Sequence, residues 1–241
     1  TPIPRSLAMV AYGDLDCSVI DELPPGRQPV TTTLMDHTRR DAVMRRVGSA
    51  CREGRQAYWV CTAIEESDTL DIEAAEATLD QLQQALPDVQ IGLVHGKLKP
   101  AEKATVMAAF KAGEIQLLVA TTVIEVGVDV PNASLMIIDN AERLGLAQLH
   151  QLRGRVGRGA VDSHCLLLYR QPLSDTAQQR LKVMQESHDG FVIAEADLEI
   201  RGPGELLGTR QTGLAAFRIA LLPEHEPLLV EAQDIAARLY A

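Results

Sequence analysis

The sequence predicts an α/β fold, a parallel sheet flanked by helices and followed by a mainly helical extension. Three observations predict it. Short apolar segments alternate with amphipathic segments of about 10–15 residues, the rhythm of strand–helix–strand units. The apolar segments are continuous and do not alternate with polar residues, as expected of strands covered on both faces. Beyond Pro172 the strand-like segments cease and only helical periodicity continues.

The elements follow in order. Residues 8–20 include a β-type apolar stretch ending at Val19-Ile20, and Asp21 to Pro29 holds three prolines and a glycine, which marks a linker and a domain boundary. Val30 to Leu34 is β-branched and reads as a strand; residues 37–53 read as a helix with Val43, Val47 and Ala50 on one face. Gln56 to Thr62 carries Ala-Tyr-Trp-Val-Cys, a buried strand. A helix over 71–86 aligns Ile72, Ala75, Leu79, Leu82 and Leu86 and stops before Pro87. Val89 to His95 is a strand, and Pro100 opens a helix to Phe110, closed by Gly113. Ile115 to Thr121 and Ser134 to Ile138 are strands, 146–153 is helical, and His164 to Tyr169 is the last strand. Residues 174–187 read as a helix that 190–200 continues after Gly190. A glycine-rich elbow follows at 201–208, and a closing helix spans 224–240.

Composition bounds the chemistry. At roughly 150 residues per domain, 241 residues make one large domain or one and a half. Aromatics are 3%, so Leu, Val, Ile and Ala must build the core. With 23 basic against 33 acidic residues, the net charge of −10 excludes a general basic coat for nucleic acid while leaving room for a local basic groove. Cys17, Cys51, Cys61 and Cys165 have no CxxC spacing and no adjacent His pair, so neither a zinc site nor a disulfide framework is expected. No apolar run is long enough for a membrane helix, no leader peptide is evident, and a start at Thr1-Pro2 without Met reads like a piece of a longer protein.

Two segments carry chemistry. Residues 153–159 hold three arginines and three glycines, and residues 143–170 hold five arginines against one carboxylate. Glycine exposes backbone N–H groups and admits a phosphate closely, and the guanidinium fork matches phosphate oxygens. A solvated basic loop is the plain alternative, and the interleaved glycines argue against it. The second segment is Val119 to Pro131, an apolar strand ending in Thr121-Thr122 and followed by Gly127 and Asp129. Ligands of open α/β sheets sit at strand carboxyl ends, where Thr hydroxyls and an Asp can meet phosphate or sugar. Asp129 alone is equally a capping residue. No GxxxxGK[ST] occurs, since Gly96-Lys97 is followed by Leu98 and lacks the upstream glycine; a complete ATPase site is therefore absent.

These residues resemble those of a known family. Gln151-x-x-Gly154-Arg155-x-Gly157-Arg158 resembles motif VI of superfamily 2 helicases, and Ala120-Thr121-Thr122 with Gly127-x-Asp129 resembles motif V. Thr1-Pro2-Ile3-Pro4-Arg5 looks like the end of motif III; Tyr58-Trp59-Val60-Cys61 with Ile64 to Ser67 resembles the motif IV region, and Val94 to Leu98 the motif after it. Glu125 to Ala133, Leu146 to Arg153 and Asp197 to Gly208 are similar to the RecG and Mfd branch of DNA translocases, the last as the TRG motif; Pro203 and Gly208 to Gly213 resemble its RecG side.

The resemblance implies a RecA-like fold and a division into 1–26 (end of a first RecA-like domain and linker), 27–172 (second RecA-like domain) and 173–241 (TRG helical hairpin and C-terminal helical segment). It implies that Arg158 is an arginine finger, that Arg155 meets the γ-phosphate and that Gln151 senses nucleotide. Gly127 and Asp129 would lie by the ribose and the cleft floor. Thr121, Thr122, His95, Gly96 and Lys97 would contact DNA backbone, while Arg201, Gly202, Gly204, Arg210 and Gln211 would couple closure to translocation. ATP and Mg2+ would be held mainly by the first motor domain, with no cofactor bound tightly by this chain and no metal site. The implied partners are branched double-stranded DNA (forks, Holliday junctions), N-terminal motor and wedge domains in cis, and single-stranded DNA-binding protein, with no membrane; the implied setting is the bacterial cytoplasm at the nucleoid. An Mfd-like transcription-coupled translocase is the near alternative. The TRG segment argues against a general RNA helicase. A non-catalytic RecA-fold binding module stands in another class, and retention of both Arg155 and Arg158 argues against it. Lacking a phosphate loop, the purified chain alone should not hydrolyse ATP; measurable turnover above a no-protein control would refute this.

Overall fold

Among the described residues six strands, all parallel to their neighbours, form one sheet in the order β1-β6-β5-β2-β4-β3. They are β1 (Thr31–Asp36), β2 (Gln56–Val60), β3 (Ile91–Val94), β4 (Leu117–Ala120), β5 (Ala133–Ile138) and β6 (His164–Tyr169). The structure, a computed structural model, describes residues 29–62, 68–121, 130–159 and 161–201, together with positions 228, 231, 235, 238 and 239, which are helical. The apolar stretch expected at 8–20, the 201–208 elbow beyond Arg201, and most of the 224–240 helix lie outside the described residues.

Every residue of β2, β4 and β5 is buried, which explains why these segments are continuously apolar. One face of the sheet presents Tyr58, Val60, Leu118, Ala120, Met136 and Ile138; the other presents Ala57, Trp59, Leu117, Val119, Leu135 and Ile137. Successive residues point to opposite faces of a strand, so the two cores interleave along the same strands. Helices α1 (Arg40–Arg52) and α2 (Asp68–Ala85) cover the second face with Val43, Val47, Ala75 and Leu82. The first face is covered by α3 (Pro100–Lys111), α4 (Leu146–Arg153), α5 (Asp175–Glu186) and α6 (Gly190–Arg201), through Phe110, Leu149, Leu181 and Ile193. Tyr58 meets Phe110 edge to face at 4.9 Å between ring centres, a contact favoured by the ring quadrupoles.

The sequence reading and the structure differ in two places. The helix expected over 37–53 opens as a 3-10 turn, His37–Arg39, capped by the Asp36 carboxylate, and becomes α-helical at Arg40. Its inner stripe is Val43, Met44, Val47, Gly48 and Cys51, with Ala50 half-buried and packed against the same core, as its spacing requires. Residues 190–201 do not continue the preceding helix. Ser187 is extended, and the Asp189 carboxylate accepts the Phe191 N–H at 2.8 Å, capping α6 as a new helix.

Cys51, Cys61 and Cys165 are buried and unbridged. Burial pushes their thiols up, to about 11 for Cys51 and about 12 for Cys61 and Cys165, leaving almost no thiolate at neutral pH. In native protein at pH 8, maleimide labelling mapped by peptide mass should leave these three largely unmodified, with fast reaction after denaturant is added. Rapid native labelling of Cys61 or Cys165 would contradict the packing.

Candidate functional site

The arginine-rich segment is delivered by α4. Its inner stripe is Leu146, Leu149, Leu152 and Arg153, all buried, and spacing by three and four places them toward the sheet. The Gly145 N–H donates to Gln148 Oε1 at 3.2 Å and closes the first turn. Gly154 follows the helix, and the chain then bends through Gly157 at φ +79°, a left-handed conformation that suits glycine. Val156 is fully buried, and a Cβ at Gly159 would run into the Pro131 carbonyl oxygen. The loop backbone is thus pinned on either side of Gly157. Between the pins, Arg155 is half-buried and Arg158 exposed, with Arg158 Nε donating to the Gly154 carbonyl at 3.4 Å. Gln151 is exposed on the outer side of α4.

This loop lies along the edge of the sheet where strands begin. Pro131 lies two residues before β5, and the Thr31 N–H at the start of β1 donates to the Ser163 carbonyl at 2.9 Å. Arg55, just before β2, donates from Nε to Ser134 Oγ at 2.8 Å and from Nη2 to the Asp162 carbonyl at 2.5 Å. Arg155 and Arg158 are therefore presented at the amino edge of the sheet.

The third arginine of the run does something else. Arg153 is 4% exposed. Its Nη1 donates to the Ser187 carbonyl at 2.7 Å, the Met184 carbonyl at 3.0 Å and Thr32 Oγ1 at 3.5 Å, and Nη2 lies 3.1 Å from His150 Nδ1. Burial lowers its pKa while the neighbouring Cys165 opposes the shift, and a guanidinium starts so high that it stays charged. Arg153 ties the end of α4 to the end of α5. Composition alone groups it with the surface arginines; the signal that separates it is position, four residues after Leu149 on the buried stripe.

At the opposite, carboxyl edge, β3 and β4 end side by side, Val94 against Ala120. Residues 95–97 and Thr121 therefore emerge together, and the Thr121 N–H donates to the Val94 carbonyl at 3.2 Å. Gly96 and Lys97 are exposed, His95 is half-buried, and Thr121 is 4% exposed. Lys97 Nζ donates to Thr69 Oγ1 at 3.2 Å, while the buried His95 Nδ1 has no hydrogen-bond partner among the described residues. Thr122, Gly127 and Asp129 lie outside the described residues, as do Gly202, Gly204, Arg210 and Gln211. Arg201 closes α6. Among the described residues no group of His, Cys, Asp and Glu could hold a metal ion, and no helix is long and apolar enough to cross a membrane.

Residues 38–160 match the helicase conserved C-terminal domain, and residues 187–241 match the C-terminal part of domain 3 of the ATP-dependent DNA helicase RecG. Over all 241 residues the chain is 68% identical to ATP-dependent DNA helicase RecG of Escherichia coli K12, of which it covers 35%. It is 62% identical over 240 residues to the RecG of Pasteurella multocida, again covering 35% of that protein. The solved structure of RecG bound to a three-way DNA junction is 45% identical and superposes with a TM-score of 0.74, over 95% of this chain and 29% of that one. The chain thus spans about a third of the length of the relatives it matches.

Removing Arg153 strands the buried Met184 carbonyl and the part-buried Ser187 carbonyl. Arg153→Leu should lower the unfolding free energy by about 3 kcal/mol, whereas Arg158→Ala on the exposed side should change it by less than about 0.5 kcal/mol. Urea denaturation of the two variants checks the contrast; equal effects would mean that Arg153 does not bridge the helices.

Proposed function

The chain belongs to the helicase conserved C-terminal domain family, and from that premise we propose that it is the second motor half of a RecG-type, ATP-dependent translocase that remodels branched double-stranded DNA. The observation that carries this reading is the pinned arginine loop in a chain with no phosphate-binding loop of its own. Such a surface can complete a nucleotide site and cannot constitute one. The division into 1–26, 27–172 and 173–241 belongs to the same reading.

ATP is the substrate, and its Mg2+ and phosphates would be held mainly by the other motor half. What this chain would add is positive charge on a preformed backbone. Arg158, exposed and held by a pinned loop, would stabilise charge developing on the transferred phosphoryl group, an effect worth about 10³–10⁵ in rate. Arg155 would meet the γ-phosphate beside it, and Gln151, one turn back on α4, would register that the nucleotide is present. Gly127 and Asp129 would stand at the ribose side. Preorganisation matters because a donor already in place costs no reorganisation at the moment of reaction.

The carboxyl edge would carry the DNA. Lys97 and Gly96 offer an exposed cation and an open backbone beside His95, with Thr121 and Thr122 at the next strand end. Contacts of this type read phosphate and not sequence, which suits a motor that moves along any duplex. RecG structures include one bound to a three-way junction, which supports a branched substrate, and fork reversal and Holliday junction migration are the activities that fit. Arg201, Gly202, Gly204, Arg210 and Gln211 would pass closure of the motor to the duplex. Single-stranded DNA-binding protein is a further partner in this reading, and the bacterial cytoplasm at the nucleoid is its setting.

The test is steady-state ATP turnover by the complete protein on branched DNA, linear duplex, single strand and RNA. Branched DNA should stimulate most, and Arg158→Ala should remove about 10³-fold or more of the rate. Equal stimulation by RNA would overturn the branched-DNA reading, and an indifferent Arg158→Ala would overturn the finger.

A further inference from the structure

Asn140, two residues past the end of β5 on the path to α4, has a conformation that calls for a reason. It sits at φ 51°, ψ 45°, and among the described residues no other non-glycine has a positive φ. A strained backbone of this kind costs about 1–3 kcal/mol and persists only where its surroundings hold it.

The surroundings hold it from both sides. Asn140 Nδ2 donates to the Thr62 carbonyl at 2.7 Å, and Arg170 Nε donates to Asn140 Oδ1 at 2.8 Å. Thr62 follows β2 and Arg170 follows β6, the two strands that flank β5 in the sheet. The Thr62 hydroxyl returns a bond to the Asp139 carbonyl at 2.8 Å. Asp139 is itself locked, its Oδ2 accepting from Arg40 Nε at 2.9 Å and Trp59 Nε1 at 3.1 Å. One carboxamide therefore stitches three adjacent strand ends together at the carboxyl edge.

What leaves this stitch is the arginine helix. From Asn140 the chain makes the 3-10 turn Ala141–Arg143, then enters α4, which crosses the sheet face to the arginine loop at the amino edge. Eight helical residues span roughly 12 Å, and a packed helix moves as a rod. Thr62 follows β2 on the same edge as the 95–97 turn, where the Cys61 N–H donates to the Ala120 carbonyl at 2.8 Å, next to Thr121.

We propose that Asn140 is a positioning residue that couples the carboxyl edge, where nucleic acid would bind, to the arginine loop, where nucleotide would be completed. This rests on the functional reading above and names a coupling element within it. Asn140 touches neither ligand. It fixes where α4 starts relative to the ends of β2 and β6, so a shift of those ends on binding DNA is carried along α4 to Arg155 and Arg158.

The experiment uses the complete protein and measures ATP turnover without DNA and at saturating three-way-junction DNA, DNA affinity, and melting temperature. Asn140→Gly keeps the left-handed backbone and removes both side-chain bonds. Arg170→Ala removes the second anchor from an exposed residue and leaves Asn140 intact, so it serves if the glycine variant folds poorly. In both, DNA-stimulated kcat should fall about tenfold, in the range of typical coupling energies. Unstimulated kcat and DNA affinity should stay within about twofold of the parent. Arg170→Lys, which retains one donor, should recover most of the stimulation. Full stimulation in both variants would overturn the proposal, and so would an equal fall in stimulated and unstimulated rates, the signature of general damage. Arg158→Ala run alongside separates the two levels: if it leaves turnover intact, the finger reading fails and this proposal falls with it; if it abolishes turnover while Asn140→Gly and Arg170→Ala keep full stimulation, only the coupling fails.

Discussion

Because β2, β4 and β5 are buried on both faces, helices must cover both sides of the sheet, and no functional side chain can stand on the strands themselves. Chemistry is displaced to the two rims. Parallel strands all end on one rim and all begin on the other, so successive loops alternate between them. This single constraint separates the exposed Gly96 and Lys97 on one rim from Arg155 and Arg158 on the other. It also leaves a crossing helix such as α4 as the shortest covalent route between them.

The energetics of α4 follow from the same arrangement. Leu146, Leu149 and Leu152 are buried under the sheet face, and each such side chain contributes about 1.5–3 kcal/mol through apolar burial. Arg153 extends that stripe with a charge that donates to two carbonyls and a hydroxyl and lies 3.1 Å from the His150 Nδ1. Hydrogen bonds substitute there for a counter-ion, and the three acceptors lie outside α4, so the helix is fixed in direction as well as depth. A loop can hold arginines at a surface only as firmly as its stem is held, and here the stem is anchored by shape and by polarity together.

Much of this could be read from the residues. Continuous apolar runs such as Leu117 to Ala120 exist because both faces are covered, so the covering helices and the parallel order were legible. Val43, Val47, Ile72 and Leu82 lie inward as their spacing requires. The run at 153–159 marked an arginine- and glycine-rich surface loop by residue type, and Arg158 is indeed exposed there. Residue type did not announce that Arg153 faces inward, because three arginines in a row of glycines look alike until helical phase is imposed. Nor could the break at Ser187–Asp189 be read, since it depends on a side-chain cap replacing a backbone bond. Asn140 was beyond reach for a deeper reason. Its role is set by Thr62 and Arg170, distant in sequence, and nothing local predicts that an asparagine will take a left-handed backbone between them.

The pairing of β1 has a consequence for how the chain is made. Among the described residues β1 lies at the edge of the sheet and pairs only with β6, Thr31 against His164, so the first of these strands waits for the last. A polypeptide leaving the ribosome would carry β1 with its ladder unpaired until nearly the whole sheet had been synthesised, and closing so non-local a contact is slow. Nascent chains interrupted before β6 would expose an open strand edge ready for intermolecular pairing. The fold thus places its greatest vulnerability in biosynthesis, at the stage before its two rims exist together.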